Sequence, residues 1–166
     1  MFRLLIPRRF PTVRFYSIMQ EPPIKKTKLD LMQLFLKEKP QIPKKPLVWV
    51  DCEMTGLDVF GDDNIIEICC IITNEDLDIV DENGYESTIY YPKSRLDKMN
   101  EWCIETHGKS GLTDKILANP DRKLSVVEDE LLEYIKKYVP EVRTGLLAGN
   151  SVHMDRFFMM KEFPKV

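Results

Sequence analysis

The sequence has no apolar run approaching the roughly 18 residues that a membrane-spanning helix needs. No membrane association is therefore expected. Its four cysteines, Cys52, Cys69, Cys70 and Cys103, form no C-x-x-C pair. Three lie in strand-like apolar runs, where buried reduced thiols are the plain reading, and that fits a reducing compartment. There is no internal repeat and no low-complexity tract. Histidine is scarce: His107 and His153 are the two in the chain, so histidine chemistry has few candidates.

What is present is unevenly charged. Residues 1–46 hold 11 Lys/Arg against 3 Asp/Glu, a net of +8, while residues 47–166 hold 13 against 24, a net of −11. An acidic body is a poor general binder of long polyanions, because that affinity rests on Lys and Arg neutralising phosphates. If it meets nucleic acid, metal ions, a local patch or a short substrate must mediate.

The start, "MFRLLIPRRFPTVRFYSIMQ", has Arg3, Arg8, Arg9 and Arg14 and no acid before Glu21. That composition is expected of a mitochondrial transit peptide over residues 1–18, directed to the matrix. "RFYS" resembles a matrix-processing site, and the competing reading is a disordered basic tail. Pro7 and Pro11 count against a long helix. Met19 permits a second, cytosolic form from an internal start. Residues 19–46 contain Pro22, Pro23, Pro40, Pro43 and Pro46 and read as a linker, with a short amphipathic helix in "TKLDLMQLFLKEK".

Residues 47–166 read as one folded domain. "LVWVDCE", "NIIEICCIIT" and "LDIVDE" predict three strands joined by short turns, and "YESTIYY" extends the meander. Ser94 is expected to cap a helix through "RLDKMNEWCIETH", ended by Gly108, with a short second helix in "KSGLTDKILA". "SVVE" reads as a capping box opening a helix that Pro140 stops. "GLLAGN" predicts a short buried strand, and "SVHMDRFFMMKEF" a last helix. Strands first and a crossover later indicate an α/β fold, a mixed sheet with helices on its faces.

Asp51 and Glu53 lie two apart in an apolar strand, so they share a face while Val48, Val50 and Cys52 point into the core. Adjacent carboxylates repel unless a cation joins them, and hard Mg²⁺ or Mn²⁺ takes carboxylate oxygens. The alternative is solvated edge-strand charge. Asp155 follows a strand and a Gly-Asn-Ser turn, about one turn into a helix. It either joins the pair from a neighbouring strand end or serves as a helix-start charge favouring the dipole. A helix start of this kind also suits a phosphate. His107 sits where the dipole favours it, near a helix C-terminus.

Together "VWVDCEMTGLD", "NEWCIETHGKSGL" and "LLAGNSVHMDRFF" closely resemble the oligoribonucleases, in the DEDDh group of 3′-to-5′ exonucleases. The resemblance spans about residues 47–163 and implies a ribonuclease H-like fold. It implies that Asp51, Glu53 and Asp155 are catalytic carboxylates, three of four acids that hold two divalent cations. It also implies that Met54, Thr55, Gly56 and Leu57 floor the site for the substrate's last bases, Leu57 as an apolar wedge. Trp102 matches an aromatic at the base-binding end. His107, Asn150 and Ser151 match polar positions near the substrate backbone. The implied substrate is very short single-stranded RNA, cut to mononucleotides, and the implied assembly is a homodimer.

The family pattern continues past "FPKV" with H-Y-R-x-x-D-V-S and later H-R-A-x-x-D, which supply the fourth acid and the general-base histidine. Neither motif occurs in these 166 residues. The expectation is a shortened exonuclease domain lacking its final strand and C-terminal helix, with doubtful activity as it stands. A metal-binding or dimerising remnant, and another exonuclease of the wider group, are the competing readings.

Overall fold

The computed structural model describes residues 42–166. The expected transit peptide and the amphipathic linker helix lie outside the described residues. The domain expected from residue 47 opens with β1, Leu47–Met54. Along it, Val48, Val50 and Cys52 are buried while Asp51 and Glu53 are exposed, the alternation that the pleat dictates. β2, Ile65–Thr73, pairs antiparallel with β1, setting Val50 against Cys70 and Glu53 against Glu67. Its isoleucines 65, 66, 68 and 72 are all fully buried, which is why this β-branched run forms the centre of the sheet.

β3, Tyr85–Thr88, pairs antiparallel with β2, and β4, Leu146–Ala148, pairs parallel with β1. The order is β3-β2-β1-β4, a mixed α/β sheet as expected. Between β2 and β3 the sequence led to a further strand, "LDIVDE". The structure reduces it to one bridge, Thr73 with Ile79. Asn74 explains this: its Oδ1 accepts from the Asp76 and Asp78 N–H groups, closing a turn in which Leu77 takes φ of 69°. The rest of that edge of β2 is taken by β3.

The helices are α1 (Lys93–Leu96), α2 (Glu101–Lys109), α3 (Leu112–Leu117), α4 (Leu124–Tyr138) and α5 (His153–Glu162). The single helix expected from Ser94 is split in two. Asn100 accepts from Cys103 N–H at 2.9 Å and starts α2 afresh, while Gly108 lies within that helix. The capping box at Ser125 is not used: α4 begins at Leu124 with no side-chain cap. β4, expected to be buried, lies at the sheet edge among the described residues, with Leu146 61% exposed.

The main core packs Val48, Val50, Cys52, Cys70 and Ile72 against Val127 and Leu131 of α4 and Phe158 and Met159 of α5. Burying side chains such as Leu131 and Phe158 contributes about 1.5–3 kcal/mol each. A smaller cluster gathers Leu96, Met99, Cys103, Leu112 and Ile116 around Ile66. Among the described residues no helix is long and apolar enough to cross a membrane.

Candidate active site

Because α4 and α5 occupy the face carrying Val48, Val50 and Cys52, the residues between them on β1 face the other way. Asp51 and Glu53 open into a cleft of about 320 Å³ that also takes Glu67, Cys69, Glu86 and Lys115. Glu67 is the cross-strand partner of Glu53, and Lys115 Nζ lies 2.7 Å from Glu67 Oε1 and also bonds Glu86. Burial lifts the Glu53 carboxyl above its ordinary value; His107 opposes that shift, and the charges of Asp51, Glu67 and Asp155 add to it. Gathering these carboxylates therefore carries an electrostatic cost.

Asp155 reaches the same strand from the other edge. β4 pairs with β1 only over Leu47–Trp49, so the Cys52 N–H is left without a partner in that ladder. The chain then turns at Gly149, where a Cβ would stand 2.6 Å from the Val50 carbonyl oxygen, and at Ser151, with φ of 53°. This tight crossing over the tip of β1 starts α5, and Asp155 in its first turn accepts from Cys52 N–H at 2.9 Å. Asp155 is only 5% exposed. It is thus a helix-start acid that is also bonded to the strand, at the residue between Asp51 and Glu53. Burial, reinforced by the Asp155 and Asp51 charges, pushes the Cys52 thiol far up, so this cysteine is a core group and not a nucleophile.

His107, in the last turn of α2, is buried, and its Nε2 lies 3.1 Å from the Met54 carbonyl oxygen. A carbonyl only accepts, so Nε2 carries the proton. Nδ1 then faces Glu53 Oε2 at 3.9 Å. The β1–β2 loop continues from Met54. The Thr55 side chain is buried, and its hydroxyl donates to Asp63 Oδ1 and accepts from Asn64 N–H and Arg95 Nη2. Gly56 leaves the room in which the Asp63 carboxylate sits, since a Cβ there would stand 2.3 Å from Asp63 Oδ2. Leu57 projects into solvent, 72% exposed, as does Trp102 on α2 at 67%. Asn150 and Ser151 are exposed in the turn before α5.

The structure therefore brings Asp51, Glu53, Asp155, His107 and Met54 together around the end of β1. Thr55 is turned inward, where its hydroxyl braces the loop. Asp63, Arg95, Lys161 and Glu162 also brace this loop, and nothing in the sequence drew attention to the first three. Glu162 carried a faint signal, seven residues after Asp155 and so on the same helix face. Among the described residues no group of three His, Cys, Asp or Glu side chains is placed to hold a metal ion. Asp51, Glu53 and Asp155 nonetheless offer carboxylate oxygens, the first two residues exposed, in a setting of excess negative charge. That donor set suits a hard divalent cation that keeps part of its water, and not a soft or imidazole-seeking metal.

Comparison with known proteins bears on the same residues. The exonuclease family profile matches residues 48–166. The mitochondrial oligoribonuclease of Saccharomyces cerevisiae is 60% identical over 128 residues, covering 74% of this chain and 47% of that protein. A probable oligoribonuclease of Schizosaccharomyces pombe is 48% identical over 123 residues, covering 74% and 48%. The oligoribonuclease of Arabidopsis thaliana is 46% identical over 123 residues, covering 74% and 54%. The chain spans about half the length of these relatives. From β1 through α5, the chain belongs to the exonuclease family and is similar to the oligoribonucleases within it.

Proposed function

We propose that this chain forms the core of a 3′-to-5′ exoribonuclease that degrades very short single-stranded RNA to mononucleotides. The observation that carries the proposal is Asp155 bonded to the Cys52 backbone, between Asp51 and Glu53. In this reading Asp51, Glu53 and Asp155 hold two divalent cations, Mg²⁺ or Mn²⁺. Such cations supply Lewis-acid stabilisation of the charge that builds on a phosphodiester during hydrolysis.

The chain's own residues do the rest. Asp51 and Glu53 face solvent and present their oxygens to the cleft, while the hydrogen bond to β1 orients Asp155. Leu57 offers apolar surface to a terminal base, and Trp102 offers a ring face for stacking, which needs no base identity. The exposed Asn150–Ser151 turn opens α5 and places backbone N–H groups where a phosphate is favoured. His107 holds the Met54 carbonyl and so fixes the strand end beside Glu53. A net charge of −11 over residues 47–166 favours a site closed around a few nucleotides over a long electrostatic track. The +8 leader, together with the similarity to the mitochondrial oligoribonuclease of Saccharomyces, supports action in mitochondria. We also propose a homodimer at the length of the relatives.

The test is a 5′-labelled tetraribonucleotide with Mn²⁺, given to the chain alone and to the chain completed with the C-terminal part of the Saccharomyces relative. The completed protein is expected to shorten the RNA stepwise from its 3′ end. Asp51→Asn or chelation by EDTA is expected to abolish cleavage. Shortening from the 5′ end, or an Asp51→Asn protein that still cleaves, refutes the proposal. Binding without cleavage by the completed protein points instead to a remnant that only binds.

A further inference from the structure

The loop that carries Leu57 is held in an unusual way. Loops on a surface are ordinarily held by their own turns and by water. Here the second half of the 55–64 loop is gripped by the last turn of α5. Lys161 Nζ donates to the Gly61 carbonyl at 2.9 Å and to the Asp63 carbonyl at 2.7 Å. Glu162, 8% exposed, accepts from Asn64 Nδ2 at 2.8 Å and from Ile65 N–H at 3.1 Å. The loop's own bonds pass this grip forward. The Asn64 carbonyl accepts from Thr55 N–H at 2.9 Å, and Asp63 accepts from the Thr55 hydroxyl at 2.9 Å and from Asp58 N–H at 3.0 Å. Leu57 lies between these two tied residues.

The same helix carries Asp155 in its first turn. Asp155 and Glu162 are seven residues apart, about 10 Å along a rigid rod. We infer that Lys161 and Glu162 are positioning residues that set the height of Leu57 relative to Asp155, so that one helix references both the substrate's end and the carboxylate beside the scissile bond. The inference rests on the exonuclease reading of the site. Its physical content is preorganisation: a solvent-exposed leucine contributes more net affinity when its loop is ordered before the ligand arrives, and this clamp supplies that order. Lys161 acts through Leu57 and touches no substrate itself.

The experiment measures equilibrium binding of a fluorescent diribonucleotide to the chain itself, with Ca²⁺ present, for wild type, Lys161→Met, Leu57→Ala and the double variant. Lys161 is exposed, and Lys161→Met is expected to fold. It is expected to weaken binding about tenfold, the size of one hydrogen bond from a charged group. In the Leu57→Ala background the same change is expected to have no effect on binding, because the residue through which Lys161 acts is gone. Amide exchange at Asp58 is expected to quicken in Lys161→Met. Full additivity of the two substitutions, or unchanged affinity and unchanged exchange in Lys161→Met, overturns the clamp while leaving the exonuclease reading intact. A wild-type protein that does not bind the dinucleotide either alone or completed with the C-terminal part of the Saccharomyces relative, yet shows the exchange change, overturns the exonuclease reading and the clamp's purpose with it. Glu162→Gln is the milder second variant: it keeps one acceptor and is expected to produce the same effects at smaller size.

Discussion

Replacing Asp155 by alanine and by asparagine separates what this side chain does for the fold from what it does for chemistry. Its Oδ1 accepts the Cys52 N–H at 2.9 Å in a site where both residues are buried. A hydrogen bond to a charged acceptor is worth about 1.5–3 kcal/mol, and an acid in the first turn adds about 0.3–1 kcal/mol through the helix dipole. Alanine loses both and strands a buried N–H, so Asp155→Ala is expected to cost about 2–4 kcal/mol. At about 4 °C per kcal/mol for a domain of this size, the melting temperature falls by about 8–16 °C. Asparagine keeps an acceptor oxygen and relieves repulsion with Glu53, so Asp155→Asn is expected to stay within about 1 kcal/mol of wild type. Urea and thermal unfolding followed by circular dichroism measure the difference. In the completed protein both variants are expected to lose cation-dependent cleavage. Equal destabilisation by the two substitutions refutes the reasoning, because the bond to Cys52 would then not be what Asp155 contributes to the fold.

Other perturbations test the remaining elements of the site. Glu162 is held above its ordinary carboxyl value by burial, opposed by its bonds to Asn64 and Ile65 and by the charges of Lys161 and Arg95. A raised acid binds more protons folded than unfolded between the unfolded value near 4.5 and the raised folded value, so its contribution to stability is present below that window and lost as pH rises through it. The stability of wild type relative to Glu162→Gln is therefore expected to be greater at pH 4 than at pH 7, as read from paired urea melts; the opposite trend contradicts the assignment. Trp102→Ala, at a residue 67% exposed, is expected to leave stability within about 0.5 kcal/mol while weakening dinucleotide affinity by about 1–3 kcal/mol, measured by fluorescence anisotropy. Gly149→Ala would press a Cβ to 2.6 Å from the Val50 carbonyl oxygen, and a loss of at least about 2 kcal/mol in unfolding free energy is expected, with Asp155 drawn away from β1.

The strand that bears Asp51 and Glu53 was legible in the sequence because side-chain alternation has a period of two and needs no long-range information. The same holds for the isoleucine run of β2, whose burial requires it to be central, and for α5 with an acid in its first turn. Local signals failed where a competing local bond won. Asn100 restarted a helix that Ser94 was expected to carry through, and the Asn74 turn left "LDIVDE" with a single bridge. β4 read as buried because its residues are apolar, yet burial depends on what lies beyond the strand and not on its composition.

The fate of Asp155 shows the division most clearly. By sequence it read, taken alone, first as a helix-start charge, and by resemblance as a third member of the acidic group. Only the tertiary structure bonds this helix-start acid to β1 between Asp51 and Glu53, because β4 stops pairing at Trp49 and leaves the Cys52 N–H for a side chain more than a hundred residues away. The clamp on the Leu57 loop was invisible for the same reason: Lys161 and Glu162 look like ordinary helix-end charges until the fold sets them against residues 61–65. What depends on period, cap and composition was determined by the sequence alone. What depends on which backbone groups remain unpaired after the sheet forms was decided by tertiary structure, since a buried donor must find an acceptor wherever the chain brings one.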